Sequence, residues 1–230
     1  MIKMRFIFTT LFLLVFAFAK AQTYELGVMF GGASVIGDVG STQYIDPSDG
    51  AFGLIAKWNR SDRHSFRASF LYTNMIGDDN DSDDISRDLR GLNYNYNLIE
   101  ASVGLEYTFW EWDLYSGKWQ WTPYLYTGLT AFQYDLFALE NGELEKYGST
   151  IDAAIPIIFG AKMTLTRNLI LAAEIGARYT FTDNLDGSNP VRSKDFDELR
   201  FGNVNNNDWY VFSGITLTYT FGRQPCYCNF

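Results

Sequence analysis

The last regular stretch of the chain, Asp208 to Phe221, reads DWYVFSGITLTYTF. Alternate side chains of a β-strand point to opposite faces, so the two faces can be written separately. The first is apolar with aromatic residues at both ends, and consists of Trp209, Val211, Ser213, Ile215, Leu217, Tyr219 and Phe221. The second becomes small and hydroxylic along its later half, at Gly214, Thr216, Thr218 and Thr220. This combination is typical of a lipid-facing strand in a membrane β-barrel.

Seven earlier runs alternate in a related way, and with the last run they predict an all-β fold, an eight-stranded antiparallel transmembrane barrel of the outer-membrane type. The runs cover residues 24–36, 52–59, 64–74, 98–109, 121–134, 155–165 and 169–181. The connections predicted between them alternate in length, with long loops at 37–50, 75–93, 135–152 and 182–207 and shorter turns at 60–63, 110–120 and 166–168. Outer-membrane barrels have short periplasmic turns and longer outer loops. The alternation therefore predicts that both termini are periplasmic.

The N-terminus has the pattern of a secretory signal peptide. Lys3 and Arg5 precede an apolar segment, and Ala19-Lys20-Ala21 fits the small-x-small cleavage site. We therefore expect a signal peptide at 1–21, the barrel at 22–221 and a periplasmic tail at 222–230. An uncleaved membrane anchor is the alternative, but the apolar segment is shorter than the ~20 residues of a helical span.

Composition excludes one class of function. The predicted signal holds three of the 18 basic residues and none of the 27 acids, so the remaining chain has 15 basic groups and a net charge of −12. Nucleic-acid binders carry a basic surface, so no nucleic acid is expected as a partner. Aromatic residues make up 17% of the chain and glycine occurs 20 times, which favours a barrel whose partners are outer-membrane lipids.

The predicted inward faces carry charges of both signs. They are the acids Glu25, Glu100, Glu106 and Glu174 and the bases Lys57, Arg67, Lys162 and Arg178. A soluble barrel would place apolar side chains inside, so this pattern is the inverse of that fold. Buried charges should form pairs, and eight strands enclose a lumen that side chains can fill. We expect a plugged barrel; a charged selectivity path is the alternative.

No catalytic or metal site is predicted. His64, the only histidine, follows the short turn Arg60–Arg63, and no second candidate base accompanies it. The acidic segment Asp78–Asp84 lacks the glycine and glutamate of an EF-hand, because Asp84 and Arg90 occupy those positions. We expect a non-enzymatic protein without cofactors and a solvated acidic loop there, with adventitious divalent binding as the alternative.

The predicted tail contains Cys226 and Cys228 in a C-x-C arrangement. Export permits a disulfide, but a bridge across one residue is strained, and zinc needs further ligands. The pair is interpreted as thiols or a labile disulfide available to a periplasmic partner. We count both cysteines with Arg60, Arg63 and Arg223 as candidate periplasmic contacts; a disordered stub is the alternative for the tail.

Both ends of the chain resemble one known family. Gly31-Gly32 with Ile36-Gly37-Asp38, and Arg200-Phe201-Gly202-Asn203 with Asn205 to Tyr210, are similar to PorG-like outer-membrane barrels of Bacteroidota. So is the ending Thr218 to Arg223 followed by Pro225-Cys226-x-Cys228. The resemblance implies a component of the type IX secretion system that anchors a periplasmic ring of the PorK and PorN type. The alternative is a general small barrel of the OmpA or OmpX type, serving envelope integrity or adhesion.

Overall fold

The fold is a closed antiparallel barrel of eight strands joined in chain order. The computed structural model describes residues 23–43, 45–47, 49–190, 198–203 and 206–222. The strands are β1 (Thr23–Ile36), β2 (Asp49–Asn59), β3 (His64–Asp78), β4 (Asn93–Thr108), β5 (Trp121–Glu140), β6 (Glu143–Thr164), β7 (Leu169–Thr180) and β8 (Trp209–Gly222). The predicted fold class is confirmed. The predicted signal peptide and the tail residues Arg223, Cys226 and Cys228 lie outside the described residues.

Alternation along β8 decides which side chains face the outside. Ile215 and Tyr219 are 52% and 54% exposed, whereas Thr216 and Thr218 between them are each 1% exposed. The apolar side chains therefore point away from the lumen and the hydroxyls point into it. This is the arrangement that a lipid-facing wall requires.

The strands are tilted, as barrel closure demands. Cross-strand neighbours can be followed from Trp209 on β8 through β7, β6 and onward round the barrel. The row returns to β8 at Tyr219, ten residues further along the strand. Trp209 contacts the Tyr179 ring near the loop end, and Phe221, two residues beyond Tyr219, stacks on Tyr24 near the turn end. The tilt thus places two aromatic belts around an apolar wall.

The two ends of the barrel differ. At the turn end, β2–β3, β4–β5 and β6–β7 are joined by 60–63, 109–120 and 165–168, and Thr23 pairs with Gly222. At the loop end lie 79–92, the β5–β6 turn and the described residues of the β1–β2 and β7–β8 connections. The β3–β4 connection holds a short 3-10 turn, Asp79–Asp81, and a six-residue helix α1 (Ile85–Arg90). In the part of the chain that the structure describes, no helix has the length and apolar character of a membrane span.

The prediction of a long loop at 135–152 is wrong. β5 and β6 continue through it and meet at Asn141-Gly142, both with positive φ, 52° and 90°. Asn-Gly is a strong signal for a two-residue hairpin turn, and that signal outweighs the polar composition of the flanking strands. The expected loop at 75–93 is likewise shortened, because β3 reaches Asp78 and β4 begins at Asn93.

The outer wall changes character towards the loop end. The outward positions of β4 are apolar or aromatic from Ile99 to Tyr107, but Asn93, Asn95 and Asn97 occupy them further up. Asn97 Oδ1 accepts a hydrogen bond from the hydroxyl of Tyr72, 2.7 Å away. The apolar band therefore ends near Tyr72 on this side, and the strands project beyond it.

Candidate functional site

All eight charges expected in the lumen lie there, each 5% exposed or less. They come from six strands, because inward positions alternate along each strand. The glycines and small hydroxylic residues between them provide the room. Gly160 is one example: a Cβ added to it would lie 2.4 Å from the Tyr124 ring.

Glu106 joins two lysines in the part of the lumen nearest the turn end. Its carboxylate oxygens lie 2.7 Å from Lys57 Nζ and 2.8 Å from Lys162 Nζ. Both ammonium groups also approach the Tyr124 ring, at 5.3 and 5.7 Å from its centroid. One carboxylate therefore serves two bases.

Arg67 and Glu174 form a two-pronged pair near the middle. Arg67 Nη1 and Nη2 donate to the two Glu174 oxygens at 2.7 and 2.8 Å. The hydroxyl of Tyr124 donates to the same carboxylate at 2.6 Å, and the guanidinium stacks 4.7 Å from the Tyr126 ring centroid. Parallel hydrogen bonds of this kind fix orientation as well as charge.

Arg178 and Glu100 form the pair nearest the loop end. Arg178 Nε and Nη2 donate to Glu100 at 3.1 and 3.3 Å, and Nη1 donates to the carbonyl of Gly176 at 2.8 Å. Tyr210 adds a hydroxyl donor to Glu100 at 2.8 Å. Every strong hydrogen-bonding group of this pair is thereby used inside the barrel.

Glu25 departs from the expected pairing of acids with bases. Its carboxylate accepts hydrogen bonds from Asn59 Nδ2 and Thr218 Oγ1, both at 2.8 Å, so these hydrogen-bond partners are neutral. The equal numbers of acids and bases therefore do not produce four one-to-one pairs.

The lumen is filled by these side chains. Arg67, Arg178, Tyr124, Tyr126 and Lys162 are each less than 2% exposed and span it from different strands. A hydrated ion would have to displace paired charges from this interior, which is costly. The arrangement suits a rigid plug rather than a path.

Above the charges, the lumen contains an apolar aromatic core that the sequence pattern did not predict. It includes Tyr94, Tyr96, Phe132, Tyr134 and Leu136, with Leu185 from the last loop. Tyr94 and Tyr96 precede the predicted fourth run, Phe132 and Tyr134 end the fifth, and Leu136 and Leu185 fall in predicted loops, so the alternation alone does not bring them together. The loop end is consequently a packed cap.

Four aspartates meet where that cap contacts β1 and β8. The backbone N–H groups of Asp38 and Val39 donate to Asp186, and Leu185 N donates to Asp208 at 2.8 Å. Burial and the nearby Asp186 charge raise the pKa of Asp208 to about 9. Burial also raises the pKa of Asp186, and it raises that of Asp183 to about 6.

The acidic segment before α1 is used for local structure. Asp78 accepts from Asn80 N and Asp84 accepts from Ser86 N, so they cap the 3-10 turn and α1. Asp79 pairs with Arg90 at 2.8 Å; burial opposes its charge, but hydrogen bonds from Arg90, Gly40 N and Leu92 N hold its pKa below the usual value. Across the described ranges, no group of three His, Cys, Asp or Glu side chains is placed to hold a metal.

The chain matches a family model described as a domain of unknown function, DUF6089, over residues 4–230. It belongs to the DUF6089 family. No curated protein matches it. The description of the family names neither a secretion system nor a partner.

Three solved structures illustrate what this DUF6089 chain is similar to. The attachment invasion locus protein Ail of Yersinia pestis is 10% identical with a TM-score of 0.45, over 87% of this chain and 99% of Ail. The N-terminal β-barrel domain of Pseudomonas aeruginosa OprF is 12% identical with a TM-score of 0.46, over 88% and 98%. The outer membrane protein OprG from the same organism is 10% identical with a TM-score of 0.45, over 89% and 98%. Values this low describe a likeness and support no functional conclusion.

The turn end of the DUF6089 barrel is closed by the connection between β4 and β5. Trp112 is 4% exposed, and its ring centroid lies 5.1 Å from Lys162 Nζ. The backbone N–H of Trp112 donates to the carbonyl of Asp62 at 2.9 Å. Arg63 is partly occupied there, donating to Phe109 O at 2.7 Å and lying 3.5 Å from Glu111. A tryptophan in an otherwise polar turn is the sequence feature that indicates this closure. Arg60 is exposed, and His64 contacts Ser61 and the Tyr107 ring.

Proposed function

We propose that this chain is a non-enzymatic outer-membrane barrel that anchors the periplasmic ring of a type IX secretion system. In this proposal the apolar wall between the aromatic belts lies in the bilayer. The turn end, with both termini, faces the periplasm, and the packed loop end faces outward.

The observation that carries the proposal is the combination of an apolar outer wall with a lumen filled by paired charges. A lipid-facing wall favours insertion, and a filled lumen favours attachment over transport. The identity of the ring, with a lipoprotein and partner of the PorK and PorN type, comes from the resemblance of the two chain ends to PorG-like barrels.

The turn end offers the surface for such a partner. Arg60 is exposed in the β2–β3 turn, and Trp110 and Trp119 on the β4–β5 connection are 47% and 69% exposed. Arg223, Cys226 and Cys228 follow the last residue of β8 in sequence, so the tail starts from the same end. A periplasmic ring would contact this surface.

Deletion of the chain, followed by an assay of secreted cargo, tests the role. The sharper test compares co-purification of ring proteins with the Arg60→Glu variant and with Lys146→Glu, a charge reversal on the exposed loop end. Loss of ring proteins with the first variant and retention with the second is expected. Normal secretion after deletion would exclude the anchor role.

The tail is tested separately. Cys226→Ser/Cys228→Ser and a truncation after Gly222 should weaken ring co-purification while barrel assembly is unchanged. Unchanged assembly and unchanged ring recovery would remove the cysteines from the proposal.

A general small barrel of the OmpA or OmpX type is the second candidate. The packed loop end supports it, because a capped outer surface is a suitable platform for adhesion or envelope contacts. Ring recovery separates the two candidates, since the general barrel needs no ring.

A further inference from the structure

A groove lies on the outside of the barrel wall, just below the loop end. Its volume is about 650 Å³, within the range of pockets that hold small ligands. Its floor consists of outward side chains of β6, β7 and β8, and its upper rim consists of polar residues from the loops.

The floor is low because a small residue stands between two larger ones. Ala177 pairs with Ile157 on one side and with Val211 on the other. Val211 points outward like Ile215, yet it is only 8% exposed. Ile175 and Phe159 continue the same surface into the apolar wall below.

One side of the groove is built by the β1–β2 connection, which folds back over the outside of β1. A Cβ added to Gly32 would lie 2.4 Å from Pro47 Cβ, so this loop packs directly on the strand. Ile45 of the same loop lines the groove and is 55% exposed. The loop thus gives the wall an apolar side that the bare strands would lack.

The rim carries a cation held by neutral groups. Arg87 Nη1 and Nη2 donate to the carbonyls of Gly40 and Gly37, both at 3.0 Å. Among the described residues no carboxylate lies within ion-pair distance of this guanidinium. Asp38, Asn206 and Asn207 line the rim beside it.

We propose that this groove binds one phospholipid, with an acyl chain on the Ala177 floor and the headgroup phosphate near Arg87. The inference rests on the proposed membrane location. A lipid is favoured because the floor is continuous with the lipid-facing wall. The volume of about 650 Å³ suits a single acyl chain. Arginine is well suited to phosphate recognition.

The test fills the groove and measures lipid retention. Wild type, Ala177→Phe and Ala101→Phe are reconstituted in vesicles of phosphatidylethanolamine and phosphatidylglycerol, extracted into mild detergent and measured by native mass spectrometry. Ala101 is the matched control, an exposed outward alanine on β4 away from the groove. Wild type and Ala101→Phe should retain one phospholipid, and Ala177→Phe should retain about tenfold less, the effect of a ~1.4 kcal/mol loss in binding.

A second variant covers the case in which Ala177→Phe fails to assemble. Ile45→Asp places a charge on the exposed loop side without altering a strand, and it should also reduce retention. Equal retention in assembled Ala177→Phe or Ile45→Asp would overturn the proposal. Loss of ring recovery with lipid retained would affect only the anchor role. Recovery of the protein in a soluble fraction would remove both.

Discussion

At the scale of single residues, the lumen is held together by charges that have no access to water. Arg67 and Glu174 form an ion pair with two hydrogen bonds, and the hydroxyl of Tyr124 donates a further hydrogen bond to the Glu174 carboxylate. Removing one member of such a pair is costlier than removing both, because the remaining charge is buried without a partner. This asymmetry can be measured.

Arg67→Met should destabilise the barrel by about 3–5 kcal/mol, because Glu174 keeps its charge inside the lumen. The double variant Arg67→Met/Glu174→Gln should recover part of that loss, since glutamine still accepts from Tyr124 without a charge. Urea unfolding followed by tryptophan fluorescence gives both values. Arg60→Met at the exposed turn is the control. A double variant no more stable than the single one would contradict this account.

The aspartates at the loop end give a pH dependence. Because the pKa of Asp208 is raised to about 9 in the folded protein, the fold favours the protonated form of this side chain. The stability that it contributes is complete below the ordinary pKa of ~3.9 and is lost as pH rises towards 9. Hydrogen exchange at the Leu185 amide, corrected for intrinsic rates, should accelerate between pH 5 and pH 9.

Asp208→Asn should flatten that dependence, because the amide oxygen still accepts from Leu185 and carries no charge at any pH. Asp84→Asn, at the exposed α1 N-cap, should leave the slope unchanged, since hydrogen bonds from Ser86 lower the pKa of Asp84. If exchange at the Leu185 amide depended on pH equally in Asp208→Asn and wild type, a group other than Asp208 would be responsible for the pH dependence.

At the scale of elements, the β5–β6 hairpin is the feature most altered from expectation. It extends the barrel beyond the apolar band and supplies Leu136 and Phe137 to the aromatic core. Its strands are joined by Gly142 at φ 90°, a conformation that disfavours other residues.

Gly142→Ala should destabilise the hairpin by about 1–2 kcal/mol through backbone strain alone. The matched control is Gly50→Ala, because an added Cβ meets no atom within 4 Å at either position and Gly50 has no positive φ. Hydrogen exchange across 134–150 should increase in the first variant only. Exchange that also rises throughout β7 and β8 would mean that the hairpin is not a separate unit.

At the scale of the whole molecule, the bilayer position follows from the two aromatic belts and the change of the outer wall to asparagines. Leu129 and Ile151 are both 67% exposed on the outside, but Leu129 lies between the belts and Ile151 lies towards the loop end. Solvent exposure therefore does not distinguish the two positions. A bilayer does, because it would cover Leu129 and leave Ile151 near its edge.

Leu129→Arg should cost about 2–4 kcal/mol in lipid vesicles, and Ile151→Arg about 0–1 kcal/mol. Equilibrium unfolding from vesicles measures both. The difference should shrink when each variant is unfolded without lipid. Equal costs in vesicles would place the bilayer elsewhere on the barrel.

The sequence by itself determined the strand type, the closed barrel and the identity of the eight inward charges. Period-two alternation is a local property, so Glu25, Arg67 and Glu174 could be assigned to the lumen without knowing their neighbours. The short turn at 60–63 could be predicted for the same reason, because alternation ends before it and resumes after it.

Only the tertiary structure decided which charges meet. Partners such as Glu100 and Arg178, or Arg67 and Glu174, are far apart in sequence, and tilt and register bring them together. The same holds for Ala177, Val211 and Arg87, which form a groove because three strands and three loops converge there. Alternation assigns a side chain to a face, and barrel closure decides which side chains it contacts on that face.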